Sequence, residues 1–251
     1  MNITQKNPFI GPRTFQRDEG HLFFGREREA SDLMALVTTR QLVLFYAQSG
    51  AGKSSIVNTR LIPGLEKKNY EVLPVSRVGG DVPAGNAVDN IFVYNLIRGL
   101  VQQKADQEIL AKLSLAQFLA GLNLDADGYF YDPSPLDEVP APVGDGSTPI
   151  RRALVIDQFE ELLSTHPEAW EQRDGFFIQL AQAMQEDPYL WVVLVMREDY
   201  IAMLDPYAHL LSGGLRVRYY MERLGWEAAL SAVKARWQNC AHLRLASLKI
   251  W

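Results

Sequence analysis

The segment Leu42-Val43-Leu44-Phe45-Tyr46-Ala47-Gln48-Ser49-Gly50-Ala51-Gly52-Lys53-Ser54-Ser55 limits the fold more than any other stretch of the chain. A run of strand formers meets a helical continuation through a loop of the pattern G-x-x-x-x-G-K-[ST], with Ala47 in the first glycine position. Gly50 and Gly52 allow successive N–H groups to turn inward around phosphate oxygens, and the helix start behind them adds its positive end. The spacing therefore predicts a phosphate cradle made of Ser49, Gly50, Ala51, Gly52, Lys53, Ser54 and Ser55. Lys53 would bridge the terminal phosphates, and Ser54 would give its hydroxyl to Mg²⁺. The plainer alternative is a glycine-containing strand–helix turn with a surface lysine.

From about residue 41 onward, apolar runs alternate with amphipathic stretches, which predicts an α/β fold with a parallel sheet flanked by helices. Strands are expected at Leu42–Tyr46, Tyr70–Val75, Ala153–Ile156 and Trp191–Val195, and helices near 53–65, 88–104, 168–186 and 198–204. Residues 1–24 read as an extended lead-in held by its aromatics, and Gly25 opens a helix with Leu33, Leu36 and Val37 on one stripe. Residues 25–235 form the expected domain, 125–149 a mobile Pro- and Gly-rich surface insertion within it, and 236–251 an atypical tail.

Composition narrows the classes. The chain has 251 residues and 47% hydrophobic residues, enough for one substantial core. Its longest apolar run, Tyr189 to Met196, is 8 residues, well short of a membrane span. A net charge of −5 does not point to nucleic acid. A single cysteine, Cys240, excludes internal disulfides and leads us to expect a reducing cytoplasm.

A bound Mg²⁺ calls for an acid at the end of a neighbouring strand, and Ala153-Leu154-Val155-Ile156-Asp157 supplies one. Asp157 is thus the candidate metal-side acid, with Ser54 as its partner on the ion. Gln158 stands where many ATPases carry a catalytic glutamate. Either Glu160 or Glu161 could position the attacking water, or both could be solvated acids opening a helix. The next strand ends in Arg197, which would sense the γ-phosphate or else pair with Glu198 or Asp199 at the surface.

The order of these motifs carries a resemblance. Asn7-Pro8-Phe9-x-Gly11-Pro12-Arg13-x-Phe15, Phe23-Phe24-Gly25-Arg26-Glu27-x-Glu29, the phosphate loop, Leu154 to Leu162 and strand-end Arg197 together resemble the nucleotide-binding core of STAND ATPases. Within these the chain is similar to the novel STAND branch related to AAA+ proteins, over about residues 7–235. The resemblance implies a P-loop NTPase fold and ATP or ADP as ligand. It places Phe24, Gly25 and Arg26 at the base and ribose side, though a hydrophobic staple leading into a helix would account for the same residues. It also implies a signalling switch with slow hydrolysis, nucleotide-dependent self-association, and effector and sensor regions in a larger protein. Because the tail departs from the family pattern, the chain is expected to be a truncated product.

Two other readings stay open. One is an interaction module that holds nucleotide without hydrolysing it, which Gln158 favours; the other is a small-molecule kinase, disfavoured because 125–149 holds no arginine or lysine. Leu211-Ser212-Gly213-Gly214-Leu215 is read as a turn. His21, His166, His209 and His242 lack metal-ligand spacing. Arg216 and Arg218 alternate with apolar residues as on the solvated face of a strand. With no Asn-Lys-x-Asp motif, ATP is favoured over GTP.

Overall fold

The computed structural model describes residue 11, residues 13–81, 88–133 and 150–235, and residue 237. A five-stranded sheet in the order β2-β5-β6-β1-β7 forms its centre, and every pairing in it is parallel. The strands are β1 (Leu42–Ala47), β2 (Tyr70–Val72), β5 (Arg151–Ile156), β6 (Leu190–Arg197) and β7 (Arg218–Met221). Successive side chains on a strand point to opposite faces, so an all-apolar strand feeds two cores at once. Val43 and Phe45 join Val155, Val193 and Val195 on one face, while Leu44 joins Leu154, Ile156, Leu194 and Met196 on the other.

The first face is covered by α1 (Glu27–Thr39) through Leu33 and Val37, and by the helical run that follows the phosphate loop. Sequence predicts one helix there. The structure has α2 (Lys53–Ile56), a π-helical turn at Val57–Leu61 and then α3 (Ile62–Glu66). Pro63 has no N–H to offer the Thr59 carbonyl, which favours a local change of hydrogen-bond register.

The second face is covered by α4 (Ile91–Leu100), α5 (Gln107–Leu110), α6 (Leu115–Ala120) and α8 (Gln172–Glu186). Caps fix their starts: Asn90 accepts from the Phe92 and Val93 amides, and Ser114 and Gln117 form a reciprocal capping box. The short α7 (Glu161–Ser164) sends Leu162 and Leu163 inward.

Four further expectations shift. The lead-in, expected to be extended, holds a 3₁₀ helix over Arg17–Leu22. The helix expected at 198–204 is a 3₁₀ run over Glu198–Leu210 that contains Pro206. The segment expected as a loop from 125 begins instead inside an antiparallel hairpin, β3 (Leu122–Asp125) with β4 (Gly128–Tyr131). There Asp125 accepts from the Asp127 amide and Gly128 takes φ +110°, a conformation glycine favours. Residues 134–149 of that insertion, and the tail apart from Trp237, lie outside the described residues. The strand expected through Val75 ends at Val72, although Leu73 and Ser76 still donate to the Ala153 and Val155 carbonyls.

Candidate nucleotide site

The phosphate loop leaves β1 at the C-terminal edge of the sheet. Gly50 (φ +74°) and Gly52 (φ +97°) take left-handed conformations there, and open space surrounds the position of a Cβ on each. Backbone conformation, and not crowding, therefore selects glycine at both positions. The Lys53 ammonium donates to the Ala47 and Gln48 carbonyls, each at 3.1 Å, folding its side chain back over the loop. Burial lowers its pKa, opposed by the nearby carboxylates of Glu160 and Asp157. Such a partly desolvated ammonium gains a strong partner when an anion enters the loop.

Strand order brings the acids to this lysine. β6 lies between β1 and β5, and Arg197 at its end is the register partner of Ala47. Asp157 follows β5, is 7% exposed, and accepts from the Gln158 amide at 2.9 Å. Among the described residues nothing donates to its second oxygen. The turn beyond is pinned from inside. Phe159 is fully buried against Phe176 and Phe177, with ring centroids at 5.8 and 5.9 Å, and its amide donates to the Val195 carbonyl at 2.8 Å. Gln158 takes φ +53°, uncommon for a residue with a Cβ, and such conformations concentrate at functional turns.

The two glutamates part company. Glu160 accepts from the Arg197 amide at 3.1 Å and is the largest charge acting on Lys53. Glu161 accepts instead from the Gly79 amide at 3.1 Å and sits 3.8 Å from the Arg77 guanidinium. Burial raises its pKa, an effect partly offset by Arg77 and Gly79. The Arg197 side chain pairs with Asp199 at 2.6 Å and lies over the Tyr200 ring, so its guanidinium is engaged along its own chain.

Ser54 and Ser55 also differ. The Ser55 hydroxyl accepts from the Phe15 amide at 3.1 Å, and Asn58 donates to the Phe15 carbonyl at 3.2 Å, tying the lead-in to the helix behind the loop. Among the described residues the Ser54 hydroxyl has no such partner. A hydroxyl free to act as ligand and a buried carboxylate with an open oxygen suit a hard divalent cation, which binds oxygen and keeps several waters. No cluster of three or more His, Cys, Asp or Glu that could hold a metal occurs among the described residues.

Beside the loop opens a cavity of about 640 Å³. Its lining includes Phe24, Arg26, Ser49, Gly50 and Ala51, and, from the far end of the chain, Arg223, Leu224, Ala232 and Val233. Arg26 is 5% exposed, pairs with Glu29 and donates to the Ala51 carbonyl at 3.2 Å, so this one of the three base-side candidates reaches the phosphate loop directly. At Gly25 (φ +81°) a Cβ would come within 3.1 Å of the Ala232 Cβ. Sequence reasoning did not place Arg77, Gly79, Ala232 or Val233 near the site; they arrive from loops and from a helix whose partners only the fold reveals.

The family model described as Novel STAND NTPase 1 matches residues 8–238. The chain belongs to the novel STAND NTPase 1 family. Membership in this NTPase family makes nucleotide binding the shared property, typically with a divalent metal. No curated protein matches this STAND NTPase in sequence. Among solved structures it is similar to the Walker-type ATPase Paby2304 of Pyrococcus abyssi, with a TM-score of 0.56 and 15% identity. The match covers 91% of this chain and 61% of that one, so the STAND chain spans under two thirds of that neighbour's length. At this identity the likeness speaks for the P-loop α/β fold alone. No helix among the described residues is long and apolar enough to cross a membrane.

Proposed function

We propose that this domain is an ATP- and Mg²⁺-dependent switch that hydrolyses its nucleotide slowly. The observation that carries the reading is the meeting of Lys53, Asp157 and Glu160 at neighbouring strand ends around one glycine loop. In this reading the backbone from Ser49 to Ser55 holds the phosphates and Lys53 exchanges its two carbonyl partners for phosphate oxygens. Ser54 and Asp157 would hold Mg²⁺, which when bound supplies charge neutralisation on the phosphates. Glu160 is the water-positioning carboxylate, because it faces Lys53 whereas Glu161 faces Arg77 and Gly79. Arg197 reports on the γ-phosphate through its amide contact to Glu160 and by leaving Asp199. The cavity beside Phe24, Gly25 and Arg26 takes adenine and ribose.

Exchange of ADP for ATP would alter association and an attached effector, in a protein that also carries sensor regions. A cytoplasmic setting suits such a role. Gln158 favours a second reading, a nucleotide-holding interaction module without turnover, because a neutral amide, on a backbone with φ +53°, stands in the place of a glutamate. Parallel titration and turnover assays on the wild type, Lys53→Ala and Glu160→Gln separate these. Mg²⁺-dependent binding weakened in the lysine variant, with slow turnover lost in the glutamate variant, supports the switch ATPase. Binding without turnover in every form favours the module, and absence of binding overturns both.

A further inference from the structure

After β7 the chain enters a helix over residues 226–235, and Trp237 is helical as well. One side of this helix approaches Gly25 through Ala228 and Ala232. A different side carries Trp226, Leu230, Val233 and Trp237, exposed by 81%, 42%, 49% and 67%. At 100° per residue these positions, spaced four, three and four apart, fall within an arc of roughly 60°. Scattered single apolar residues on a surface are ordinary, but two tryptophans, a leucine and a valine on one narrow stripe are not. Tryptophan is also the side chain most enriched at the energetic centres of interfaces.

We propose that this stripe is a self-association surface, occupied by the same stripe of a second copy with the two helices antiparallel about a two-fold axis. Its spacing points to that occupant. Four, three, four reads the same in both directions, so a two-fold axis sets Trp226 against the partner's Trp237 and Leu230 against the partner's Val233. Large side chains then close the two ends over a smaller aliphatic centre.

The flanking charges agree with this arrangement. Glu227 and Lys234, both exposed, lie roughly 100° and 80° from Trp226 on the same flank of the stripe. A two-fold axis perpendicular to the helices keeps that flank on one side for both copies. Glu227 then comes within two residues, about 3 Å along the axis, of the partner's Lys234, and symmetry repeats the pair. Such an isologous contact is self-complementary and closes at the dimer. One helix pair buries a small area, which places the association in the weak, concentration-dependent class. Val233 also lines the cavity beside the phosphate loop, so the contact borders that site. The association rests on the stripe itself and is tested without nucleotide.

Sedimentation velocity of the full chain across a wide concentration range tests it. The expected result is a monomer of 28.3 kDa when dilute and a rise toward twice that mass when concentrated. Association should weaken about tenfold or more in Trp226→Ser/Trp237→Ser. Because both side chains face solvent, circular dichroism should show the variant folded. Orientation is read by disulfide trapping in a Cys240→Ser background. Leu230→Cys mixed with Val233→Cys should give crosslinked heterodimer in preference to either self-linked pair. A monomer at every concentration, a dimer indifferent to loss of both tryptophans, or preferential self-linking of Leu230→Cys would each overturn the proposal.

Discussion

Glu160 and Glu161 are adjacent in sequence, yet their carboxylates bind amides on different elements: Glu160 that of Arg197 at the end of β6, Glu161 that of Gly79 in the loop beyond β2. A single turn of chain, plugged into the core by Phe159, thus connects the lysine side of the sheet end to a loop on its far side.

Glu160→Gln should lower turnover by about 10²-fold or more while leaving the KM for ATP within a small factor, the signature of a group that acts on the reacting water. Glu161→Gln should lower turnover far less. Steady-state kinetics on the two variants side by side decides the assignment, and the reverse pattern would move the role to Glu161.

Glu161 should leave a mark on stability against pH. Burial raises its folded pKa above the ordinary value of 4.5, so its protonated form is the one folding favours. Its contribution is therefore fully present below the ordinary glutamate value and is lost as pH rises through the raised one. Urea unfolding of wild type and Glu161→Gln over that window should show the wild type losing stability relative to the variant as pH rises.

The two serines after Lys53 should separate metal binding from folding. Ser55→Ala removes the hydroxyl that accepts from the Phe15 amide and should cost about 0.5–1.5 kcal/mol of stability. Ser54→Ala should leave the unfolding midpoint nearly unchanged and weaken the Mg²⁺ dependence of nucleotide binding, as measured by titration with and without the ion.

Gly25→Ala should disturb the cavity from behind. Its φ of +81° costs a Cβ-bearing residue about 1–2 kcal/mol, and the added carbon would press on Ala232. Loss of stability together with weaker nucleotide binding is expected. Tight binding at unchanged stability would show that the helix over residues 226–235 does not shape the site.

Lys53→Ala should weaken Mg²⁺-nucleotide binding by about tenfold to a hundredfold, since a charge-assisted contact of about 1.5–3 kcal/mol is removed from a loop built around it. It should not destabilise the free protein greatly, because the wild-type ammonium is itself partly desolvated. Calorimetric titration and thermal melting test the two halves separately.

Much of this was legible from the residues. The phosphate loop, the Asp157 strand end and the parallel α/β plan follow from local pattern, because glycine conformations and apolar runs are set within a few residues of themselves. The different partners of Glu160 and Glu161 were not legible, since they turn on which strand ends the fold brings beside each, and that is long-range information. The β3–β4 hairpin was within reach. Asp127-Gly128 flanked by strand formers is a hairpin signal, although the observed two-residue loop is Ala126-Asp127 with Gly128 opening β4, and the Pro- and Gly-rich stretch behind it masked the pattern. For the Ser55 hydroxyl and the approach of Ala232 to Gly25 there was no sequence signal, as each joins segments far apart in the chain.

The position of β1 between β6 and β7 bears on how the protein is made. The phosphate loop is synthesised early, but both strands that flank its own strand come from beyond residue 189. Local contacts form fast, whereas such distant pairings must first close a long stretch of chain. On the ribosome, the loop must therefore wait for more than half of the polypeptide before β1 has a neighbour on either side. A nucleotide that needs Lys53, Asp157 and Glu160 together would bind only after that closure, and would draw the newborn chain toward its finished state by mass action.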